Sequence, residues 1–135
     1  MAARYLLDTN TCIYIHRQRP VEVLARFRRL KVGEAAVSTI TYGELLFGAE
    51  KSVGREKALK VVDDFVSVVK VLPLLPEIAR TYGSIRALLE AKGQPIGAND
   101  LWIAAHAKSM NLTLVTNNVR EFDRVPGLRI QNWIE

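Results

Sequence analysis

Cysteine is nearly absent: the 135 residues contain one, Cys12, so no internal disulfide can form. Small secreted domains commonly rely on such bridges, and their absence suits a reducing cytosol. Long apolar runs are also missing. The N-terminal stretch Met-Ala-Ala-Arg-Tyr-Leu-Leu is broken by Asp8, far too early for a signal peptide or a membrane span. A cytoplasmic protein with no membrane contact is expected. The chain has no internal repeat, low-complexity tract or Ser/Gly linker, and its length suits one domain over residues 1–135. Histidine is scarce. His16 and His106, with Cys12, lack the spacing of a zinc ligand set.

The composition that remains is globular, at 49% hydrophobic and 24% charged. A chain of this size buries a core without disulfides. The net charge is +5, which favours polyanionic partners. The densest basic stretch is Arg17, Arg19, Arg26, Arg28, Arg29 and Lys31. It reads as a solvated face, or as a contact for RNA phosphates or another protein.

Strand-length apolar runs alternate with longer helical patterns. Strands are predicted at 4–8, 35–38, 71–74, 112–116 and 128–131. Helices are predicted at 9–17, from Pro20 through Leu30, at 39–51, 55–69, 76–92 and 98–110, with a short one at 119–124. Pro73 marks the third strand as an edge, since proline cannot donate to a ladder. Strands separated by helices imply an α/β fold with a parallel sheet covered on both faces. Its functional crevice lies beyond the carboxyl ends of the strands. That rule singles out Asp8-Thr9-Asn10, Ser38-Thr39 and Thr116-Asn117-Asn118.

Three acids stand out. Asp8 follows the first strand and is either a helix cap or a functional acid. Glu44 shares a helix face with Ile40 and Phe47 and is flanked by Gly43 and Gly48. A helix-interior glycine costs about 1 kcal/mol relative to alanine, which suggests close backbone approach there. Asp100 opens an Ala-rich helix whose other residues are nearly all core, and so should face a cleft. Carboxylates brought together raise one another's pKa, and a hard divalent cation relieves the conflict. Magnesium with oxygen ligands suits phosphodiester hydrolysis.

Four segments carry a family resemblance: Leu7-Asp8-Thr9-Asn10; Ser38 through Leu45 with Gly48-Ala49; Ile96 through Ala107 around Asn99-Asp100; and Val115-Thr116-Asn117-Asn118-Val119-Arg120-Glu121-Phe122. In order and spacing they resemble the successive motifs of VapC toxins, which are PIN-domain ribonucleases. The likeness extends to Leu128. It implies a three-layer α/β/α fold around a mostly parallel sheet of about five strands. It further implies Asp8, Glu44 and Asp100 as metal-site acids, Mg2+ as cofactor with Mn2+ able to substitute, and cleavage of RNA with tRNA as the substrate class. The implied partners are a VapB-type antitoxin and a second toxin copy, joined in a larger hetero-oligomer, with operator DNA reached only through the antitoxin. Where many PIN domains carry a fourth acid, this chain has Asn117 and Asn118. Asn118 is the candidate to orient a metal-bound water, with Glu121 and Asp123 as acids that could approach; a cap or turn is the other reading of the two amides.

The remaining polar residues read more plainly. Thr9 and Thr116 bond the acids or cap helices, and Asn10 supports Asp8. His106 and Cys12 are structural, and Trp102 and Trp133 are packing residues. A phosphatase using Asp8 as nucleophile would want an acid at position 10, where Asn10 stands. A metal-dependent DNA nuclease shares the same chemistry. A non-catalytic nucleic-acid-binding subunit accounts for the charge but leaves Glu44 and Asp100 unexplained.

Overall fold

The structure, a computed structural model, describes residues 2–134. Five strands form one sheet: β1 (Tyr5–Leu7), β2 (Ala35–Ser38), β3 (Lys70–Leu72), β4 (Thr113–Val115) and β5 (Ile130–Gln131). The order is β3-β2-β1-β4-β5 and every pairing is parallel. The helices are α1 (Thr9–Arg17), α2 (Val21–Arg28), α3 (Thr39–Glu50), α4 (Arg55–Val68), α5 (Pro76–Ala91), α6 (Ala98–Ser109) and α7 (Val119–Phe122). This is the expected α/β/α arrangement, with every predicted element in place. β2 spans the expected residues, and the other four strands are shorter than the apolar runs suggested. The third pairs at Lys70–Leu72 and stops before Pro73, which has no N–H to continue the ladder. It is an edge strand, as proline required.

Two cores sandwich the sheet, and the central strand supplies both through its twofold alternation. Leu6 points to one face, with Ala36 and Leu114 and with Ile78, Ile85, Leu89 and Ile103 of α5 and α6. Tyr5 and Leu7 point to the other, with Cys12, Ile15, Val23 and Trp133. Trp133 is buried edge-on against Tyr5, and Trp102 stacks on Tyr82 with ring centres 3.8 Å apart. Both tryptophans pack within the fold.

The chain winds from β1 outward through β2 to β3, then crosses back to β4 on the far side of β1. The strand order therefore reverses between β1 and β4, where doubly wound sheets open their crevice. Leu7 is in register with Val115, so the next residues, Asp8 and Thr116, emerge side by side.

A buried histidine fastens the helices behind this edge. His106 of α6 is fully buried, and its Nδ1 lies 2.9 Å from the hydroxyl of Ser38, the residue that ends β2 and caps α3. Its Nε2 and the hydroxyl of Thr41 have no partner. Burial lowers its pKa from 6.5 to about 4, so it stays neutral in the folded chain. In the unfolded chain it protonates at its ordinary value. Its stabilising contribution is therefore complete above about pH 6.5 and fades as the pH falls toward 4. Denaturant unfolding of the protein and of His106→Leu across pH 7 to 4 should show the stability difference shift in favour of the variant by about 3 kcal/mol. A pH-independent difference would mean that the imidazole is not held neutral.

Candidate active site

The crevice is built from the strand ends. Asp8 is the N-cap of α1, and its Oδ1 accepts from the backbone N–H of Thr11 at 2.8 Å. Its own N–H donates to the carbonyl of Val115 at 3.0 Å. The residue is only 5% exposed. Burial raises its carboxyl pKa above the ordinary value; hydrogen bonds from Thr116 and Thr11 oppose the rise, and the charge of Glu44 adds to it. The two readings of Asp8 are thus compatible, since one carboxyl serves as a cap and as a buried acid.

Glu44 lies one turn into α3. Its Oε1 accepts from the hydroxyl of Thr9, and its Oε2 from the side-chain amide of Asn99 at 3.2 Å. Ile40, on the same face, packs against the core while Phe47 is exposed, so Glu44 stands at the rim of that face. The backbone does not approach closely at Gly43 or Gly48, where an added Cβ would meet no atom of this chain. α3 packs on α4, α1, α6 and β2 through its other residues, and the face with Phe47 and Gly48 is left exposed.

Asp100 sits in the first turn of α6, where the helix dipole favours an acid. Its pKa is nevertheless raised to about 7. Burial is the largest cause, followed by a hydrogen bond shared with Glu121 and then the charges of Glu121, Glu44 and Asp8. Asp100 therefore feels three other acids, each carried by a different helix or its cap.

The segment after β4 sorts the remaining candidates. The amide of Asn118 donates to Glu121 at 2.7 Å, and its backbone N–H to the hydroxyl of Thr116 at 2.9 Å. Its side chain does not cap α7. Asn117 turns away and donates to the Tyr14 hydroxyl at 2.8 Å. Glu121 is brought to Asp100, whereas Asp123 is exposed and takes no part. Asn10 is exposed as well, and the support for Asp8 comes from Thr11 instead. Glu121 could be found from sequence only as one of two nearby acids, because the turn of the short α7 decides which one faces Asp100.

No Lys or Arg among the described residues forms an ion pair with these acids. Among the described residues the ion pairs are Arg4–Glu34, Arg55–Glu50, Lys60–Asp64 and Arg86–Glu90, all elsewhere. Nor do any three Asp, Glu, His or Cys among the described residues stand as a ready-made cage. Hard oxygen donors, unpaired charge and an open arrangement fit magnesium, which keeps several waters and uses few carboxylates. They do not fit a closed zinc site.

The sequence from 5 to 128 matches the model of the PIN domain. The chain is 47% identical over 131 residues to "Ribonuclease VapC2" of Haemophilus influenzae, covering 97% of this chain and 98% of the relative. It is 45% identical to "tRNA(fMet)-specific endonuclease VapC" of Salmonella typhimurium, covering 96% and 98%. Among solved structures it matches a chain of DNA-bound VapBC from Salmonella typhimurium with a TM-score of 0.91, at 45% identity over 97% of this chain and 98% of that one. VapBC-1 from nontypeable Haemophilus influenzae gives a TM-score of 0.90, at 39% identity over 97% and 98%.

The raised pKa of Asp100 has a measurable cost. Its folded-state pKa lies above its unfolded value, so the ionised carboxyl weakens the fold increasingly from about pH 4 to about pH 7, and by a constant amount above that. With a chelator present, Asp100→Asn should melt higher than the parent protein at pH 8, and the gain should vanish near pH 4. An equal or lower melting point at pH 8 would show that the acids do not repel.

Proposed function

Because the chain belongs to the PIN-domain family, we propose that it acts as a VapC-type endoribonuclease, the toxin of a toxin–antitoxin pair. The near full-length likeness to named VapC ribonucleases supports RNA as substrate, and the tRNA(fMet)-specific relative supports tRNA. Structural neighbours solved as VapBC complexes, one of them on DNA, support a VapB-type antitoxin that carries the toxin to operator DNA. No helix among the described residues is long and apolar enough to cross a membrane. The cytoplasm, where tRNA is found, is the proposed location, and a toxin homodimer the proposed unit.

The single observation that carries the chemistry is the convergence of Asp8, Glu44, Asp100 and Glu121 with no ion pair to any of them among the described residues. Asp8 and Asp100 would hold magnesium, with Glu44 and Glu121 nearby acting directly or through water; manganese would bind similarly. When bound, the ion supplies charge neutralisation at the phosphate and activation of water. The protein's own part is placement. The α1 cap locks the Asp8 carboxyl, and the hydroxyl of Thr9 and the amide of Asn99 hold Glu44 between them. The Asn118 amide steadies Glu121 beside Asp100. Because the Asp100 carboxyl is raised to about 7, binding a cation there would release a proton near neutral pH. An antitoxin could silence the site by setting an arginine fork among the acids.

Cleavage of tRNA should require magnesium and stop in chelator. Asp8→Asn and Asp100→Asn should each abolish it with the fold intact by circular dichroism, since asparagine keeps the shape and the Asp8 cap but removes charge. Glu44→Gln should be less severe. Near-normal cleavage by either asparagine variant under limiting magnesium would overturn the assignment. Calorimetry supplies a second check: Asn118→Asp adds a carboxylate beside Glu121 and should tighten magnesium binding without RNA, whereas no gain would mean that the amide is only a structural tie.

A further inference from the structure

An open groove of about 850 Å³ runs from the acidic site along the outer face of α3. Glu44, Phe47, Gly48 and Lys51 follow one another at helical spacing, so they share that face. At the helical rise, Lys51 lies roughly 10 Å beyond Glu44. Phe47 is 65% exposed, and Lys51 Nζ stands 4.9 Å from the centre of its ring. Arg17 of α1 forms the opposite wall, and Thr9 and Asn99 line the end near the acids. Neither Arg17 nor Lys51 has an acidic partner among the described residues. Gly43 and Gly48 face open space, so nothing inside the chain accounts for the absence of side chains there.

We infer that this groove seats the RNA nucleotide next to the scissile phosphate, with Phe47 as the stacking platform for its base and Lys51 and Arg17 as contacts to its phosphates. The inference rests on the ribonuclease reading and deepens it. A polyanion with one phosphate at the carboxylates must leave the site along a surface of the opposite charge, and the two free cations provide it. Exposed aromatic rings beside cations are the usual platform for single-stranded bases. The paired glycines let the sugar and phosphate approach the helix backbone. The cavity holding Glu121 and Asn118 also has basic side chains, Arg120 and Arg124, but no aromatic ring. The stacked base is therefore placed on the α3 side of the cut.

Fluorescence anisotropy with a labelled tRNA transcript tests this, in Asp8→Asn protein so that the RNA survives. Phe47→Ala should weaken binding about tenfold, and Phe47→Trp should restore it. Lys51→Ala and Arg17→Ala should each lower the slope of log affinity against log salt by roughly 0.7 to 0.9. Val32→Ser, on an exposed loop outside the groove, should change nothing. In the active protein Phe47→Ala should raise KM more than it lowers kcat, with an unchanged melting point because the ring is exposed. Parent-like affinity and KM in Phe47→Ala would overturn the inference. So would an unchanged RNA affinity alongside a loss of antitoxin affinity, which would assign the groove to a protein segment. If the parent protein cuts no RNA in magnesium, the ribonuclease reading itself fails, and the two failures are told apart by the parent's own turnover.

Discussion

The repulsion of carboxylates gathered at one edge of a parallel sheet is the constraint on which the site depends. Asp100 shows it most clearly, with a pKa near 7 in a position where a helix start would otherwise favour the ionised form. Burial and three neighbouring acids overcome the dipole. A fold organised for stability alone would place an arginine or lysine there. This one gives its surface ion pairs to exposed helix faces, where they contribute little, and leaves the acids unpaired. The resulting tension is what a divalent cation relieves.

Topology makes the gathering possible. The reversal of strand order between β1 and β4 sets Asp8 beside Thr116, and the helices that follow β2, α5 and β4 bring Glu44, Asp100 and Glu121 to the same edge. Three of the acids are tied to neutral donors: Asp8 to Thr11 and Thr116, Glu44 to Thr9 and Asn99, Glu121 to Asn118. Hydroxyls and amides orient a carboxylate without cancelling its charge, which a salt bridge could not do. The Ser38–His106 contact holds α3 and α6, the carriers of Glu44 and Asp100, against the same strand end.

The fold was largely legible because parallel strands buried on both faces leave continuous apolar runs, and the helices between them carry a clear period. Element order and type follow from that, while strand ends do not, as Pro73 shows by cutting β3 short. The site was legible where an acid coincides with a strand or helix terminus, as Asp8 and Asp100 do. It was illegible where a side chain's direction depends on a loop. The turn after β4 sends Asn117 to Tyr14 and Asn118 to Glu121, partners that the sequence did not name. The environment of Glu44 stayed open for a related reason. Helical spacing puts Phe47 on its face but cannot say whether that face meets the core or water.

The glycines of α3 have a consequence for how the molecule breathes. Only Thr41 and Ala49 of its twelve residues are fully buried, and Gly43 and Gly48 give the backbone more freedom to lose than any other residue would. Its middle therefore belongs among the segments that open locally, well before the sheet gives way. Whatever settles along the outer face spends part of its binding free energy on quieting this helix. The amide protons around Gly43 and Gly48 are thus the natural reporters of occupancy, exchanging quickly in the free protein and slowly in any complex that covers them.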